Sequence, residues 1–467
     1  MKKNKIKFGT DGWRGEIAKD FTFKNIEKVS LAFVQYLKKF NLIKNGIAVG
    51  YDNRFQSEDF ARVAASICSN ANIKTFYSEI SLPSPALSYF VNTNKLDGGI
   101  MITASHNPSN WNGFKIKESF GGSAKSETTK EIEAILEEMN EPIKPADKEN
   151  QKYELFNPKP EYLKHISSFV DLSIIKSAGI KIIFDPMHGS GAGYLKEIIP
   201  EIEEINSNRD PLFGGVNPEP LPSNLTDLIS TTKESILKNK LSVGIAIDGD
   251  ADRIGAIDPD GTYISSHNVF SLLLKHLYEN KKLRGKIVKT FNISRLVEKQ
   301  AKEYGLEIIE KPIGFKYIVE EFLKGGVMIG GEESGGIGII NNIPERDGTL
   351  NALLLLELIA ITGKTLSQNL KSIMDKLGYY YYDRLDLHIK RDLFSSKLEK
   401  LKNIKDFAGN NVTKIETLDG VKLNFQDGSW ILFRASGTEP LLRIYSEGTS
   451  IDQVKFLLGK GETFIKE

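Results

Sequence analysis

The chain has 467 residues, 40% of them hydrophobic and 26% charged, with 62 basic residues against 61 acidic ones for a net charge of +1. That length exceeds one ordinary core and suggests about three or four domains. The even charge balance excludes a strongly basic nucleic-acid binder and offers no polybasic membrane patch, so any affinity for anions must come from cations placed locally. Cys68 is the single cysteine. A disulfide within the chain is therefore impossible, Cys68 reads as core filler in a helix, and a cytoplasmic address fits. The N-terminal stretch MKKNKIKFGTDGW lacks a signal-peptide apolar region. The longest apolar run, Ala352 to Ile361, is half of what a bilayer span needs and reads as a buried helix.

In chain order, a helix is predicted from about Phe23 to Phe40, where Phe23, Ile26, Val29, Phe33, Leu37 and Phe40 recur at helical spacing. Strand IAVGYD follows, then a helix capped by Ser57 (SEDFARVAASI), strand IKTFYSEI, and strand GGIMITA running into Ser105-His106-Asn107-Pro108. A second unit offers strand IKIIFDP, a glycine turn, helix GYLKEIIPEI, and the apolar run Leu241 to Ile247, a buried strand ending at Asp248. A third has strand KIVKT, helix SRLVEKQAKEYG, strand LEIIEKP, and strand GVMIG ending in Gly331-Glu332-Glu333-Ser334-Gly335-Gly336. Three similar βα units, each ending a strand in a polar glycine-bearing loop, predict α/β layering with ligands beyond the carboxyl ends of the strands. Glu141 to Pro160 and Lys371 to Tyr379 read as linkers. The last segment reads as a small α+β domain with strand GSWILF, loop Arg434 to Pro440 and strand LLRIYSE.

Asp248-Gly-Asp-Ala-Asp252 carries the sharpest chemistry. Three carboxylates alternating with the two smallest residues can curl around one hard divalent cation. An EF-hand is rejected, because its sixth position needs Gly and its twelfth Glu, where this chain has Arg253 and Pro259. Ser105 is a candidate nucleophile beyond a buried strand, with Pro108 barring helix continuation and Lys115 supplying a cation ten residues on. His106 either activates Ser105 or orders the turn. No G-x-S-x-G elbow exists, which argues against an esterase. Arg434-Ala-Ser-Gly-Thr438 is either an anion cradle or a plain glycine turn, and Glu332 with Ser334 either grips sugar hydroxyls or caps a helix. Gly363-Lys364-Thr365 fails as a P-loop and reads as a helix C-cap. Gly189 to Gly193 has the wrong spacing for a dinucleotide loop.

Together these residues resemble the α-D-phosphohexomutase superfamily of phosphoglucomutases and phosphomannomutases, most closely a bacterial-type phosphoglucomutase. The resemblance runs from Phe8-Gly-Thr-Asp-Gly-Trp-Arg-Gly15, through Thr103 to Pro108, Asp248 to Arg253 and Gly331 to Gly336, to Arg434 to Pro440 and Arg443. It implies three similar α/β/α mixed-sheet domains plus a C-terminal α+β domain around a central cleft, with limits near 1–150, 151–256, 257–372 and 373–467. It implies that Ser105 carries a phosphoryl group, that Asp248, Asp250 and Asp252 hold one Mg²⁺ that also touches Ser105, and that Arg14 and Lys115 flank the reacting phosphate. Lys115 is the expected general acid/base, with a positively charged neighbourhood lowering its pKa. Glu332 and Ser334 match sugar-binding positions. Arg434, Ser436, Gly437 and Thr438, helped by Lys316, match the grip on the non-reacting phosphate, and Arg253 is expected to bind substrate.

The reaction so implied interconverts glucose 1-phosphate and glucose 6-phosphate through a bound glucose 1,6-bisphosphate. A mannose or glucosamine phosphate mutase is the near alternative, and a phosphatase or a non-catalytic relative the distant ones. Two imidazoles that several relatives carry are absent, at Gly336 and Phe315, while Glu-Glu-Ser-Gly-Gly looks closer to glucose-preferring members. The expected partner is a small-molecule hexose phosphate, with no nucleic acid and no membrane, and the expected state is a monomer or weak homodimer.

Overall fold

A computed structural model describes residues 6–139, 152–236, 241–436 and 441–467 of the chain. These form two compact units, Met1–Arg284 with Gly314–Ser367, and Gly285–Ile313 with Gln368–Glu467.

In the first unit, β1 (Trp13–Glu16) leads into α1 (Phe23–Lys39), where the Thr22 side chain accepts from the Asn25 amide and Ile26, Val29, Phe33 and Leu37 are buried. Then come β2 (Ile47–Tyr51), α2 (Ser57–Asn70), β3 (Thr75–Ser78), α3 (Ser84–Thr93), β4 (Gly98–Ile102), β5 (Trp111–Glu118), α4 (Ser126–Glu138) and β6 (Glu154–Phe156). The six strands pair in the order β1-β5-β4-β2-β3-β6. β2 and β4 are buried at every residue, as parallel strands covered on both faces must be. β5 returns antiparallel to β4 with Met101 opposite Lys115, so the chain that leaves β4 through Ser105 brings Lys115 back beside it.

Next along the chain are α5 (Lys159–Ser167), α6 (Leu172–Ser177), β7 (Lys181–Asp185), α7 (Tyr194–Ile198), β8 (Glu203–Glu204), α8 (Thr226–Ser235), β9 (Ser242–Ile247), β10 (Ile254–Ile257) and β11 (Tyr263–Ile264). Their strands pair as β11-β10-β9-β7-β8. β9 is buried throughout and delivers Asp248 at its carboxyl end, and antiparallel β10 closes the loop. After α9 (Ser266–Lys275), the chain contributes β12 (Lys286–Thr290), α10 (Arg295–Glu303) and β13 (Ile308–Lys311) to the second unit. It re-enters the first with α11 (Phe315–Lys324), β14 (Val327–Gly331), β15 (Ile337–Ile339) and α12 (Gly348–Thr362). α12 is apolar on all sides and correspondingly buried from Gly348 to Ile359.

The second unit continues from α13 (Leu366–Leu377) through β16 (Tyr381–His388), α14 (Ser395–Leu401), β17 (Asp406–Phe407), β18 (Asn410–Glu416), β19 (Val421–Phe425), β20 (Trp430–Ala435), β21 (Leu441–Gly448) and α15 (Ile451–Lys466). Its strands pair antiparallel in the order β16-β21-β20-β19-β18-β17 over a core that includes Leu423, Phe433, Ile444 and Leu457. Among the described residues no single helix is long and apolar enough to cross a membrane.

Four local expectations are corrected. The cap of α2 is Gln56 in a left-handed conformation, and Ser57 instead turns its hydroxyl to Asp52. The helix after Gly193 stops at Ile198, two residues before Pro200, which cannot continue it. Lys371 to Leu377 is helix rather than linker, since α13 buries Leu370, Ile373 and Met374. Glu332 and Ser334 lie in the turn from β14 to β15, so the helix-cap reading fails. One other reading holds: Gly363 is a left-handed C-cap of α12. Gly189 packs so closely on the loop after β9 that a Cβ there would lie 2.7 Å from the Gly249 carbonyl oxygen.

Candidate active site

Ser105 has φ of +54°, in the left-handed region, and is 1% exposed. Its conformation is held from both sides. Its amide donates to Thr103 Oγ1 at 2.9 Å, and its carbonyl accepts from Arg54 Nη2 at 2.6 Å. Arg54 also donates to the carbonyls of Asn107, Pro108 and Trp111 at 2.7–3.1 Å, so one buried fork ties the whole loop. Asp52 balances that charge, with Oδ2 3.3 Å from Arg54 Nε, and accepts from Thr103 Oγ1 at 2.6 Å. The sequence reading missed both residues. The available signal was their position just beyond the carboxyl end of β2, the kind of place that singled out Ser105.

The Ser105 hydroxyl donates to Asp248 Oδ2 at 2.6 Å and lies 3.3 Å from His106 Nδ1. Burial and the surrounding Arg253, Arg14, Arg54 and Lys115 push the His106 pKa well below its ordinary value, so the ring is neutral at pH 7. Asp248, Asp250 and Asp252 are fully buried, each with one carboxylate oxygen within 4.8 Å of the others. Asp248 Oδ1 accepts from the amides of Asp252 and Arg253 at 2.9 and 3.1 Å. Burial, reinforced by Asp252 and Asp250, drives the Asp248 pKa well up. Asp250 Oδ2 takes Ser84 Oγ at 2.5 Å and Lys115 Nζ at 2.8 Å, whereas Asp250 Oδ1 and Asp252 Oδ1 are buried without a hydrogen bond. Buried acceptors left without donors in a ring of hard oxygens suit a divalent cation. The donor set fits Mg²⁺.

The expected environment of Lys115 is corrected. Its ammonium lies 2.8 Å from Asp11, 2.8 Å from Asp250 and 3.2 Å from Asp252. Burial opposes its charge, but the three carboxylates outweigh burial and raise its pKa. The expected lowering of its pKa is thus reversed, because the carboxylates around Lys115 favour its ammonium form. Sequence reasoning had counted nearby cations and could not see Asp11 folding back from β1's approach.

Arg346 was also missed. Its guanidinium pairs with Asp11, with Asp252 at 2.8 Å, with Glu332 at 3.4 Å and with Glu345 at 3.5 Å. Glu345 in turn holds Lys117 at 2.5 Å and Ser123 at 3.0 Å. Arg14 donates to Asn107 Oδ1 at 2.5 Å. Arg253 lies 3.4 Å from Glu219 and 3.9 Å from Asp248. Glu332 is 7% exposed, and burial raises its pKa against the pull of Arg346 and Arg253. Ser334 Oγ is buried without a hydrogen bond. Lys316 lines a small cavity with Thr10, Asp11 and Ser123. The first unit thus gathers Ser105, His106, Lys115, Arg14, the three aspartates, Arg253 and Glu332 into one connected set of polar groups, all buried except the half-buried His106 and Arg14.

Arg434 and Ser436 belong to the second unit. Arg434 Nε donates to Asp419 Oδ2 at 3.0 Å, and the Ser436 amide donates to the Leu441 carbonyl at 2.8 Å. Gly437 and Thr438 lie outside the described residues, as does most of Glu141 to Pro160.

Four family models match in sequence. Residues 5–142, 160–261 and 265–377 match the α/β/α domains I, II and III of phosphoglucomutase/phosphomannomutase, and residues 393–458 match its C-terminal domain. A phosphoglucomutase/phosphomannomutase of Thermococcus kodakarensis is 31% identical over 98% of both chains. A phosphoglucosamine/phosphogalactosamine mutase of Sulfurisphaera tokodaii is 31% identical over 94% of both. Other curated relatives, 27–29% identical, are named phosphoglucosamine mutase. The crystal structure of a putative phosphomannomutase from Thermus thermophilus superposes with a TM-score of 0.87 at 35% identity, covering 99% of each chain. With three α/β/α domains, a fourth C-terminal domain and a buried serine–aspartate site, the chain belongs to the phosphoglucomutase/phosphomannomutase family and is a phosphohexomutase-type isomerase.

Proposed function

We propose that this chain moves phosphate between the 1- and 6-hydroxyls of a hexosamine phosphate, with Ser105 as the phosphoryl carrier. The observation that supports the chemistry best is Ser105 Oγ at 2.6 Å from Asp248, in a buried site whose neighbouring carboxylates keep unpartnered oxygens. The choice of a hexosamine rests on the recurrence of phosphoglucosamine mutases among the curated relatives. Glucose or mannose phosphate is a second reading, favoured by the Thermococcus kodakarensis relative.

In this reading Asp248, Asp250 and Asp252, with Ser105, would hold Mg²⁺, which would supply positive charge against the phosphoryl group. Arg14 and Arg253 add fixed positive charge for the phosphate oxygens. Lys115, protonated at rest, is suited to give a proton to Ser105 Oγ as its phosphate leaves and to recover one from the sugar hydroxyl. Neutral His106, with its proton on Nδ1, can donate a hydrogen bond to the serine oxygen. Glu332 and Ser334 bind sugar hydroxyls, and Arg434, Ser436, Gly437 and Thr438, with Lys316, hold the second phosphate. A 1,6-bisphosphate turns over between the two transfers, and glucose 1,6-bisphosphate is the activator when glucose phosphates are the substrates. Domain limits near residues 150, 256 and 372 go with this division of labour.

The test combines intact mass with turnover. Incubation with a hexosamine 1,6-bisphosphate should add one phosphate to the wild-type chain and none to Ser105→Ala. Glucosamine 1-phosphate should be converted faster than glucose 1-phosphate or mannose 1-phosphate. Preference for a plain hexose would move the chain to the second reading, and a fully active Ser105→Ala chain would discard the mechanism.

A further inference from the structure

A Cβ at Gly336 would lie 2.9 Å from Arg346 Cγ and overlap Cδ, so the arginine stem occupies the space that a side chain at 336 would take. That stem is 3% exposed and ends in a guanidinium shared between the sugar-loop Glu332 and the triad's Asp252. Arg346 Nε makes no hydrogen bond, its nearest carboxylate being Glu345 at 3.5 Å, and Ser334 Oγ in the β14–β15 turn makes none either. Buried donors without acceptors are costly unless a ligand completes them.

We propose that Arg346 is a specificity-determining residue for the sugar, a role that rests on the mutase reading above and deepens it. An ionised Glu332 only accepts, and Arg346 only donates. Side by side from two buried loops, they present an acceptor and a donor that match two adjacent sugar hydroxyls, one giving its proton to Glu332 and the other receiving from Arg346. An epimer with one of those hydroxyls inverted leaves Glu332 or Arg346 unmatched out of reach of water. A site built to bond a substrate hydroxyl rejects analogues that cannot make the bond far more strongly than an apolar pocket rejects a lost methylene.

The test is binding in the Ser105→Ala background, where no transfer obscures affinity. Dissociation constants would be measured calorimetrically for glucosamine 6-phosphate and its C2, C3 and C4 epimers. With Arg346 present, at least one epimer should bind about 100-fold more weakly. Arg346→Met should shrink that ratio at least about tenfold, and Arg346→Lys, which keeps charge but loses the fork, should fall between. Gly336→Ala alone should weaken sugar binding, whereas Gly336→Ala added to Arg346→Met should change little, because the space is then free. Unchanged epimer ratios, or equal weakening of all four ligands, would overturn the role of Arg346. If Arg346→Met does not fold, the Arg346→Lys ratios decide by the same criterion. Failure of every sugar 6-phosphate to bind the unaltered Ser105→Ala chain would instead remove the mutase reading itself.

Discussion

Both units bury charge, and they do it to opposite ends. In the second unit Lys289 pairs with Glu310 and with Glu298 at 2.9 Å, and Lys422 donates to the Phe291 carbonyl at 3.0 Å beneath the rings of Phe291 and Trp430. Those cations are matched by carboxylates, a carbonyl and aromatic faces, and they tie β12 and its following turn to β19 and β20. In the first unit the carboxylates are the surplus: Lys115 and Arg346 are each shared among several, and two oxygens of the triad still lack a donor. Cations matched one by one hold a fold, whereas a ring of carboxylates with orphaned oxygens suits a bound cation.

The sharpest way to break this contrast is Ser105→Ala. It should abolish phosphoryl transfer, by more than about 10³-fold, while leaving the melting temperature within a few degrees, since only one hydroxyl is lost. Coupled turnover assays and calorimetry would measure the two effects. Arg54→Ala comes next. It leaves Asp52 buried and unpaired and frees the carbonyls of the serine loop, so it should cost about 3–5 kcal/mol in denaturant titrations and lower turnover as well. Arg54→Lys should restore part of the stability but less of the rate, because a lysine cannot fork to four carbonyls.

Smaller effects sharpen the comparison through pH. Burial first, then Lys289, lowers the Lys422 pKa to about 8 from an ordinary 10.5. The unfolded chain therefore binds more protons between those values, and stability from this group rises with pH across that window, by up to about 1.4 kcal/mol per unit. Lys422→Met should flatten that rise and be nearly neutral at high pH. In the first unit, burial raises Asp185 to about 6 against hydrogen bonds from the Met187 amide and Asn206. Here the folded state holds the proton more tightly, so the contribution is full below the unfolded value near 3.8 and is lost as pH rises through about 6. Asp185→Asn should consequently raise stability by about 1–2 kcal/mol at pH 8 and by little at pH 4.

Much of this was legible in the chain itself, for physical reasons. Runs such as Ile47 to Tyr51 and Ser242 to Ile247 are apolar without alternation because both faces of those strands are covered, and the polar loops behind them mark where chemistry can reach water. Asp248, Asp250 and Asp252 act within five residues, so local spacing suffices to find them. Asp11 and Arg346 meet across 335 residues of sequence, and no motif encodes such a contact. The charge state of Lys115 failed for the same reason, since it depends on which carboxylates arrive from elsewhere. The cap of α2 failed because Ser57 serves Asp52 instead, a tertiary demand that overrides a local preference.

Cys68 sits in α2 with no solvent exposure, and burial pushes its thiol up to about 12. At physiological pH almost none of it is thiolate, the form that alkylating agents and peroxides attack. Catalysis should therefore survive reagents that silence thiol enzymes. A cysteine engineered onto any exposed position would be the lone reactive handle, ready for a fluorophore or spin label without first stripping the native chain.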